Sequence, residues 1–112
     1  MKKVLCKDDT GYKLYLTSSN YSNNGRIYLG LLWFDENSGD YELWDDLTIN
    51  LSDFMVESDN VIFINNDISD YVLEQLEEIG LLTYLDTMVY NYGRYKKYYL
   101  DRDVMREYLE TE

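Results

Sequence analysis

Alternating apolar and polar residues in the first third of the chain predict β-strands separated by tight turns. Residues 4–7 and 12–17 flank the turn-forming sequence of residues 8–11, which indicates a hairpin. A second turn signal at residues 23–25 precedes a strand over residues 26–34 that is apolar on both faces. A strand of this kind is typical of the centre of a sheet.

The middle of the chain predicts three more strands. Residues 41–44 and 61–64 are short β-type runs, and acidic residues surround the first of them, so we expect one edge of the sheet to be acidic. Residues 47–51 alternate strictly between apolar and polar side chains. We therefore expect this segment to bury one face only.

The clearest helix is predicted over residues 68–79, where apolar residues recur at helical spacing. Asp67 is the expected N-cap, and Gly80 occupies the position of a C-terminal cap. Residues 87–90 and 95–100 then indicate a hairpin.

A short C-terminal helix is predicted after Asp101, which can cap it. Its apolar stripe comprises Val104, Met105, Tyr108 and Leu109. Together these elements predict an α+β fold: a mainly antiparallel sheet of about five to seven strands, one central helix and the C-terminal helix. With 112 residues, no proline and no linker, residues 1–112 are expected to form a single domain.

Charge is unevenly distributed along this chain. Residues 27–93 contain 15 Asp and Glu and no Lys or Arg, and the formal net charge of the whole chain is -12. Ordinary surfaces mix both signs, so this stretch suggests a cationic partner, of which nucleic-acid-binding surfaces are the commonest kind. An acidic composition that serves solubility alone is the alternative.

The predicted central helix carries four acids on one face. They follow the i, i+4, i+7 and i+8 spacing, opposite an apolar face of Val72, Leu73, Leu76 and Ile79. Like charges at this spacing repel, and the predicted helix contains no cation. We call this group the helix acids: Asp70, Glu74, Glu77 and Glu78.

A second acidic group interleaves with aromatic residues on and after the strand at 41–44. Tyr41 and Trp44 would be hot-spot anchors for a partner, while the neighbouring acids would meet its Lys and Arg. An acidic loop over aromatic core residues is the alternative. We call this group the strand acids: Asp40, Glu42, Asp45 and Asp46.

No catalytic motif is present, and we expect no enzyme activity, no cofactor and no metal. Cys6 is flanked by apolar residues, and the chain has no histidine to activate it. Residues 35–46 superficially resemble a calcium loop, but the glycine stands at the fifth position and the twelfth residue is Asp46. No run suits a membrane span or a signal peptide, so a cytoplasmic location in a bacterial host is expected, with no membrane partner.

Basic and aromatic residues alternate near the C-terminus, around Arg94, Lys96 and Lys97. This pattern is used by single-strand nucleic-acid binders. We expect no more than weak direct binding, because the chain as a whole would be repelled by phosphates.

Four short segments carry a family resemblance: Asn-Asn-Gly-Arg at 23–26, Asp-Leu-Thr-Ile-Asn-Leu at 46–51, Phe-Ile-Asn-Asn at 63–66 and Glu-Glu-Ile-Gly-Leu at 77–81. In their order and spacing, the chain resembles a family of small, uncharacterised proteins from bacterial phages and conjugative elements. Family members usually continue with a Gly/Ser-rich stretch and a Tyr-Pro pair, which this proline-free chain lacks. The resemblance implies no catalytic residues.

The resemblance implies a mobile genetic element, where small acidic proteins often disarm host defence. Anti-CRISPR and anti-restriction proteins that mimic DNA are physically similar in size and charge. The leading hypothesis is a non-enzymatic inhibitor whose helix acids and strand acids occupy the basic groove of a defence nuclease. Two alternatives remain: an accessory interaction module that binds a partner protein or forms a homodimer through its tyrosine-rich surface, and the weak nucleic-acid binder.

Overall fold

The chain folds as an α+β structure of two helices and two four-stranded antiparallel sheets in a computed structural model that describes residues 1–110. The first sheet has the order β1-β2-β3-β4 and the second the order β5-β6-β8-β7. The elements are β1 (Cys6–Lys7), β2 (Lys13–Asn20), β3 (Ile27–Asp35), β4 (Asp40–Asp46), β5 (Thr48–Ile49), β6 (Val61–Ile64), α1 (Asp70–Glu78), β7 (Leu82–Tyr90), β8 (Gly93–Leu100) and α2 (Arg102–Leu109).

The predicted α+β class is confirmed, but the strands form two sheets instead of one. The division falls where the chain passes from β4 to β5. Leu47 donates its N–H to the Leu29 carbonyl of β3 at 2.9 Å and accepts the N–H of Asn65, beyond β6, at 2.9 Å. One residue thus hydrogen-bonds to both sheets, and the strand direction changes there.

Thr48 is buried as well, at 3% exposure, so the expectation that residues 47–51 bury one face only was wrong. Its hydroxyl accepts the N–H of Leu29 at 3.1 Å and shares a hydrogen bond of 2.9 Å with the Tyr21 hydroxyl. A buried hydroxyl needs such partners, and here they come from the first sheet.

The first sheet is built from the hairpins expected from the turn sequences. Gly11 and Gly25 adopt positive φ values of 91° and 71°, which favour glycine. In the first turn a single carboxylate oxygen of Asp8 accepts the Thr10 N–H, the Thr10 hydroxyl and the Tyr12 N–H at 2.8 to 3.0 Å. Burial alone would raise the pKa of Asp8, but these hydrogen bonds and the backbone around them lower it overall.

In the second sheet, the predicted C-terminal hairpin is confirmed and is longer than expected. Asn91 and Tyr92 both have positive φ, so β7 and β8 are joined by a two-residue turn. The register shifts between Tyr84 and Asp86, where Leu85 is the extra residue of a β-bulge.

Helix α1 begins later than predicted, and its N-cap is Ser69 rather than Asp67. The Ser69 hydroxyl accepts the Val72 N–H at 3.3 Å, whereas the Asp67 N–H is bound by the side chain of Asn65 at 3.1 Å in the preceding turn. Gly80 follows the helix with a φ of 79°, as expected for a C-terminal cap.

Helix α2 is capped by Asp101, as predicted, and it packs against β2. Its stripe is apolar and faces the core: Met105 and Tyr108 are buried, and Val104 and Leu109 pack beside them. Every larger element except β4 contributes buried residues to the core between the sheets and helices. The fully buried side chains are Leu14, Leu16, Leu29, Leu31, Leu47, Ile64, Val72, Leu76, Leu81, Leu82 and Leu100.

Replacing Thr48 by valine tests the link between the two sheets. Valine keeps the shape but leaves the Leu29 N–H and the Tyr21 hydroxyl without this partner, so Thr48→Val should lower the free energy of unfolding by about 1–3 kcal/mol. Urea unfolding measures it. The matched control is Thr83→Val in β7, an exposed position, where a change within about 0.5 kcal/mol is expected. Equal effects at the two positions would contradict the role of Thr48.

The Asp8 turn predicts a pH dependence of stability. Because the pKa of Asp8 is lowered in the folded state, its stabilising contribution is present above its unfolded pKa of about 3.9 and is lost as pH falls through the folded value. Asp8→Ala should cost about 1–3 kcal/mol at neutral pH. Asp8→Asn, which keeps an acceptor without the charge, should cost less and should weaken the acid loss of stability. Thermal melting between pH 7 and pH 2.5 measures both, and unchanged acid sensitivity in Asp8→Asn would contradict the prediction.

Candidate acidic interface

The strand acids lie on an exposed edge of the first sheet. β4 pairs with β3 only, and Asp40, Glu42 and Asp46 are exposed while Asp45 is half-buried. At the hairpin end, Asp40 lies directly opposite Asp35 across the two strands. Like charges in this position destabilise a strand pair. The hairpin thus keeps two acids together at a cost in stability.

The two predicted aromatic anchors differ in their surroundings. Tyr41 is half-buried: its ring packs edge-on against Tyr15 and Phe34, and its hydroxyl accepts the Lys2 N–H at 2.9 Å. Trp44 is the extra residue of a β-bulge opposite Leu31 and is exposed. Of the two, Trp44 is the side chain that is exposed to solvent.

A hydrogen bond between Tyr28 of β3 and Asp46 holds the end of β4 against β3. The Tyr28 hydroxyl donates to the Asp46 carboxylate at 2.6 Å, across from Gly30. A Cβ atom at Gly30 would lie 2.5 Å from that hydroxyl, so a larger residue there would displace it. Burial, followed by the hydrogen bond to Asp46, raises the pKa of Tyr28.

Asn65 connects the strand acids to the start of α1. Its side-chain amide donates to the Asp46 carbonyl at 2.9 Å and to the Asp45 carboxylate at 3.4 Å. Its side-chain oxygen accepts the Asp67 N–H, and nearby Ser69 donates its hydroxyl to Asp9 at 3.0 Å. The sequence did not single out Asn65 or Asp9 as site residues, because neither contact follows from spacing along the chain.

The two predicted acidic groups are therefore linked through Asn65 at one end only. Asp45 and Asp46 lie beside the turn that leads into α1, whereas Asp40 lies at the far end of β4, about 20 Å away along the strand. Glu77 and Glu78 lie at the opposite end of α1 from this junction. The acids form two arms that join at Asn65, instead of one straight row.

Among the helix acids, Asp70 has a cationic partner that the sequence pattern did not indicate. Lys96 of β8 contacts its carboxylate at 2.7 Å, and this hydrogen bond and charge lower the pKa of Asp70. In the part of the chain that the structure describes, Glu74, Glu77 and Glu78 are exposed and form no ion pair. Burial, and then the charge of Glu77, raises the pKa of the neighbouring Tyr98 to about 12.

The last turn of α1 is electrostatically unfavourable. Glu77 and Glu78 lie where the helix dipole favours cations, and this turn contains no basic residue. Glu74 is four residues from both Asp70 and Glu78, so each pair adds repulsion. Fold stability therefore does not explain this arrangement of acids.

The basic C-terminal segment is largely occupied by contacts within the chain. Lys96 pairs with Asp70, and Lys97 pairs with Glu57 at 2.8 Å. Arg94 is exposed near the β7–β8 turn. Two of the three cations expected to contact nucleic acid are thus paired with acids of the chain.

A cleft of about 680 Å³ lies away from the acidic surface, between the β2–β3 turn, β5 and the loop of residues 51–60. We call this loop the strap. Arg26 donates to the Leu51 and Phe54 carbonyls, and Arg102 donates to the Asp59 carbonyl and the Asn60 side chain. Both arginines in the cleft wall thus hold the strap in place.

The calcium-like segment lies at a turn between strands, and Cys6 lies in the core. Residues 36–39 of the calcium-like segment form the β3–β4 turn, and among residues 1–110 no group of three or more Cys, Asp or Glu is placed to hold a metal ion. Cys6 is buried, and burial followed by the charge of Asp8 raises the pKa of its thiol to about 12.

Glu74→Gln tests whether the helix acids repel one another. Removing this charge should raise the free energy of unfolding by about 0.5 kcal/mol at low salt, and the gain should shrink when NaCl rises to about 0.5 M. Urea unfolding at both salt concentrations measures it. The control is Glu110→Gln, because Glu110 lies four residues after Arg106 and removal of its charge should bring no gain. Equal gains in both variants would assign the effect to net charge alone.

No helix in residues 1–110 is long and apolar enough to cross a membrane. Comparisons of the chain with protein-family models, with curated proteins and with solved structures each found no match.

Proposed function

We propose that this protein is a non-enzymatic inhibitor whose acidic surface occupies the basic nucleic-acid-binding groove of a bacterial defence nuclease. The main supporting observation concerns the ion pairs of the eight predicted contact acids. Within residues 1–110, Asp70 alone among them is in an ion pair, and the other seven are free of cationic partners. Of these seven, Asp45 and Asp46 accept hydrogen bonds from Asn65 and Tyr28. The other five are exposed and remain available to Lys and Arg of another protein: Asp40, Glu42, Glu74, Glu77 and Glu78.

The placement of the cations supports this proposal. Lys96 and Lys97 are neutralised by acids of the chain, and Arg26 and Arg102 donate to the strap. Lys2 donates its ammonium group to the Leu16 carbonyl at 2.8 Å. Cations bound to the chain's own backbone do not balance the charge of β4 and α1. β4 and α1 therefore keep an excess of negative charge at the surface.

Regular secondary structure gives these acids fixed positions. Successive acids on α1 lie about 5–6 Å apart, close to the spacing of phosphates along one nucleic-acid strand. The second arm follows β4 and is joined to the first through Asn65. A rigid, branched display of carboxylates suits a groove that normally holds phosphates, and Trp44 adds an apolar contact beside it.

The choice of a defence nuclease as the target rests on the resemblance to proteins of phages and conjugative elements. A mobile element gains from blocking a CRISPR effector or a restriction enzyme, and both hold DNA in basic channels. Mimicry of DNA needs no catalytic group in the inhibitor. Binding should weaken steeply as salt increases, because it depends on pairing opposite charges.

A plasmid-interference assay tests the proposal. Cells with an active CRISPR or restriction system that express this protein should accept a targeted plasmid at least about tenfold more often than cells without it. Glu74→Lys combined with Glu77→Lys should abolish the rescue, because the two reversals change the charge of the free part of α1 by four units. Asp40→Lys combined with Glu42→Lys tests the β4 arm in the same way.

The matched control is Glu107→Lys on α2 combined with Glu110→Lys at its C-cap, which makes the same change of charge on another element. This variant should keep the rescue. If it loses the rescue as completely as the α1 variant, net charge rather than the acidic surface explains the effect. If the unchanged protein gives no rescue in any of several CRISPR and restriction systems, the proposed function is wrong.

A further inference from the structure

The two sheets end in two long edge strands that have no partner strand. β4 with seven residues ends the first sheet, and β7 with nine residues ends the second, whereas the opposite edges, β1 and β5, have two residues each. Within residues 1–110, no strand pairs with the outer edge of β4 or β7. A long open edge presents unpaired N–H and C=O groups, and natural proteins usually protect or cover it.

The two open edges differ in charge. β4 carries its four strand acids, so a second copy of this chain would be repelled there. In β7, Asp86 is the one charged residue of nine. On a chain with net charge -12, β7 is therefore the long edge at which two copies can approach with the least repulsion.

Exposed apolar side chains are concentrated on the same hairpin. Val89 is 68% exposed and Tyr92, at the turn, is fully exposed. Five of the twelve large apolar side chains that are exposed in residues 1–110 belong to the β7–β8 hairpin: Tyr84, Leu85, Val89, Tyr92 and Tyr99. Exposed apolar side chains gathered on one hairpin favour an interaction there.

We infer that β7 pairs with β7 of a second copy to form a symmetric dimer. The bulge at Leu85 interrupts the strand, so the pairing segment is residues 86–90. Antiparallel pairing of a strand with itself is compatible with a two-fold axis, which closes the assembly at two copies. The second sheets of the two copies would then form one continuous eight-stranded sheet.

A second copy fits this edge better than a charged partner. Residues 87–90 are Thr, Met, Val and Tyr, and such a segment offers neither a row of acids to a basic strand nor a row of bases to an acidic one. Threonine, valine and tyrosine side chains also form favourable cross-strand pairs with one another. The edge is thus complementary to itself.

Dimerisation through β7 and the binding of a basic partner to the acidic surface should depend on salt in opposite ways. Two chains of net charge -12 repel each other at long range, and salt screens that repulsion. Dimerisation through β7 should therefore strengthen as NaCl rises, whereas binding of a basic partner to β4 and α1 should weaken. This inference does not rest on the proposed inhibitory function, and either can fail alone.

Sedimentation and light scattering of the full chain test the inference. At tens of micromolar, in about 0.3 M NaCl, the molecular mass should be twice the 13.4 kDa of one chain. Val89→Lys should raise the dissociation constant at least about tenfold, because it places two like charges near the axis. Leu43→Lys, an equally drastic change at an exposed residue of β4, should leave the dimer intact.

Three results would overturn the inference: a single-chain mass at every concentration, a dimer that Val89→Lys does not weaken, or a dimer that dissociates as salt increases. Amide hydrogen exchange of the unchanged protein provides a test that needs no variant. Within residues 86–90, the amides that point away from β8, which are every second one, should exchange at least about tenfold more slowly in the concentrated than in the dilute sample. Equal exchange rates in the two samples would also overturn it.

Discussion

The hydrogen bonds of Leu47 and Thr48 hold the two sheets together, and the remaining architecture depends on them. At this point the chain leaves the first sheet, and its backbone becomes buried between two layers where water cannot satisfy it. Leu29 and Asn65 supply the partners of the Leu47 backbone, and the Tyr21 hydroxyl and the Leu29 N–H bind the Thr48 hydroxyl. Because Asn65 also binds the end of β4, the same junction fixes the start of α1 relative to the acidic edge. Within residues 1–110, every buried side-chain polar atom has a hydrogen-bond partner.

Several basic residues are engaged by other parts of the chain. Arg26 and Arg102 bind carbonyls of the strap, and Lys96 pairs with Asp70 in the first turn of α1. The acids of the middle remain on the outside of β4 and α1. Solvent and salt screen their mutual repulsion, so the fold tolerates it, but local pairs such as Asp35 and Asp40 still oppose folding. A surface that is locally unfavourable to the fold is a reason to look for a partner.

The acidic display is rigid because it is built on regular elements. Along α1, each acid is fixed by a helix whose opposite face, Val72, Leu73 and Leu76, is buried. Along β4, pairing with β3 and the bulge at Trp44 set the direction of each side chain. Positions that are set by backbone hydrogen bonds need little reordering on association, which lowers the entropic cost of binding.

Local pattern by itself determined the α+β class, the hairpin turns at Gly11 and Gly25, the cap at Asp101 and the opposite acidic and apolar faces of α1. Each of these depends on residues close together along the chain, where propensity and periodicity act directly. Only the tertiary structure decided that the strands divide into two sheets, that Thr48 is buried, and that Ser69 rather than Asp67 caps α1. The tertiary structure also decided that Lys96 neutralises Asp70 and that Asn65 joins the two acidic arms. These contacts link residues about 20 or more positions apart along the chain, and local sequence patterns do not predict such pairs.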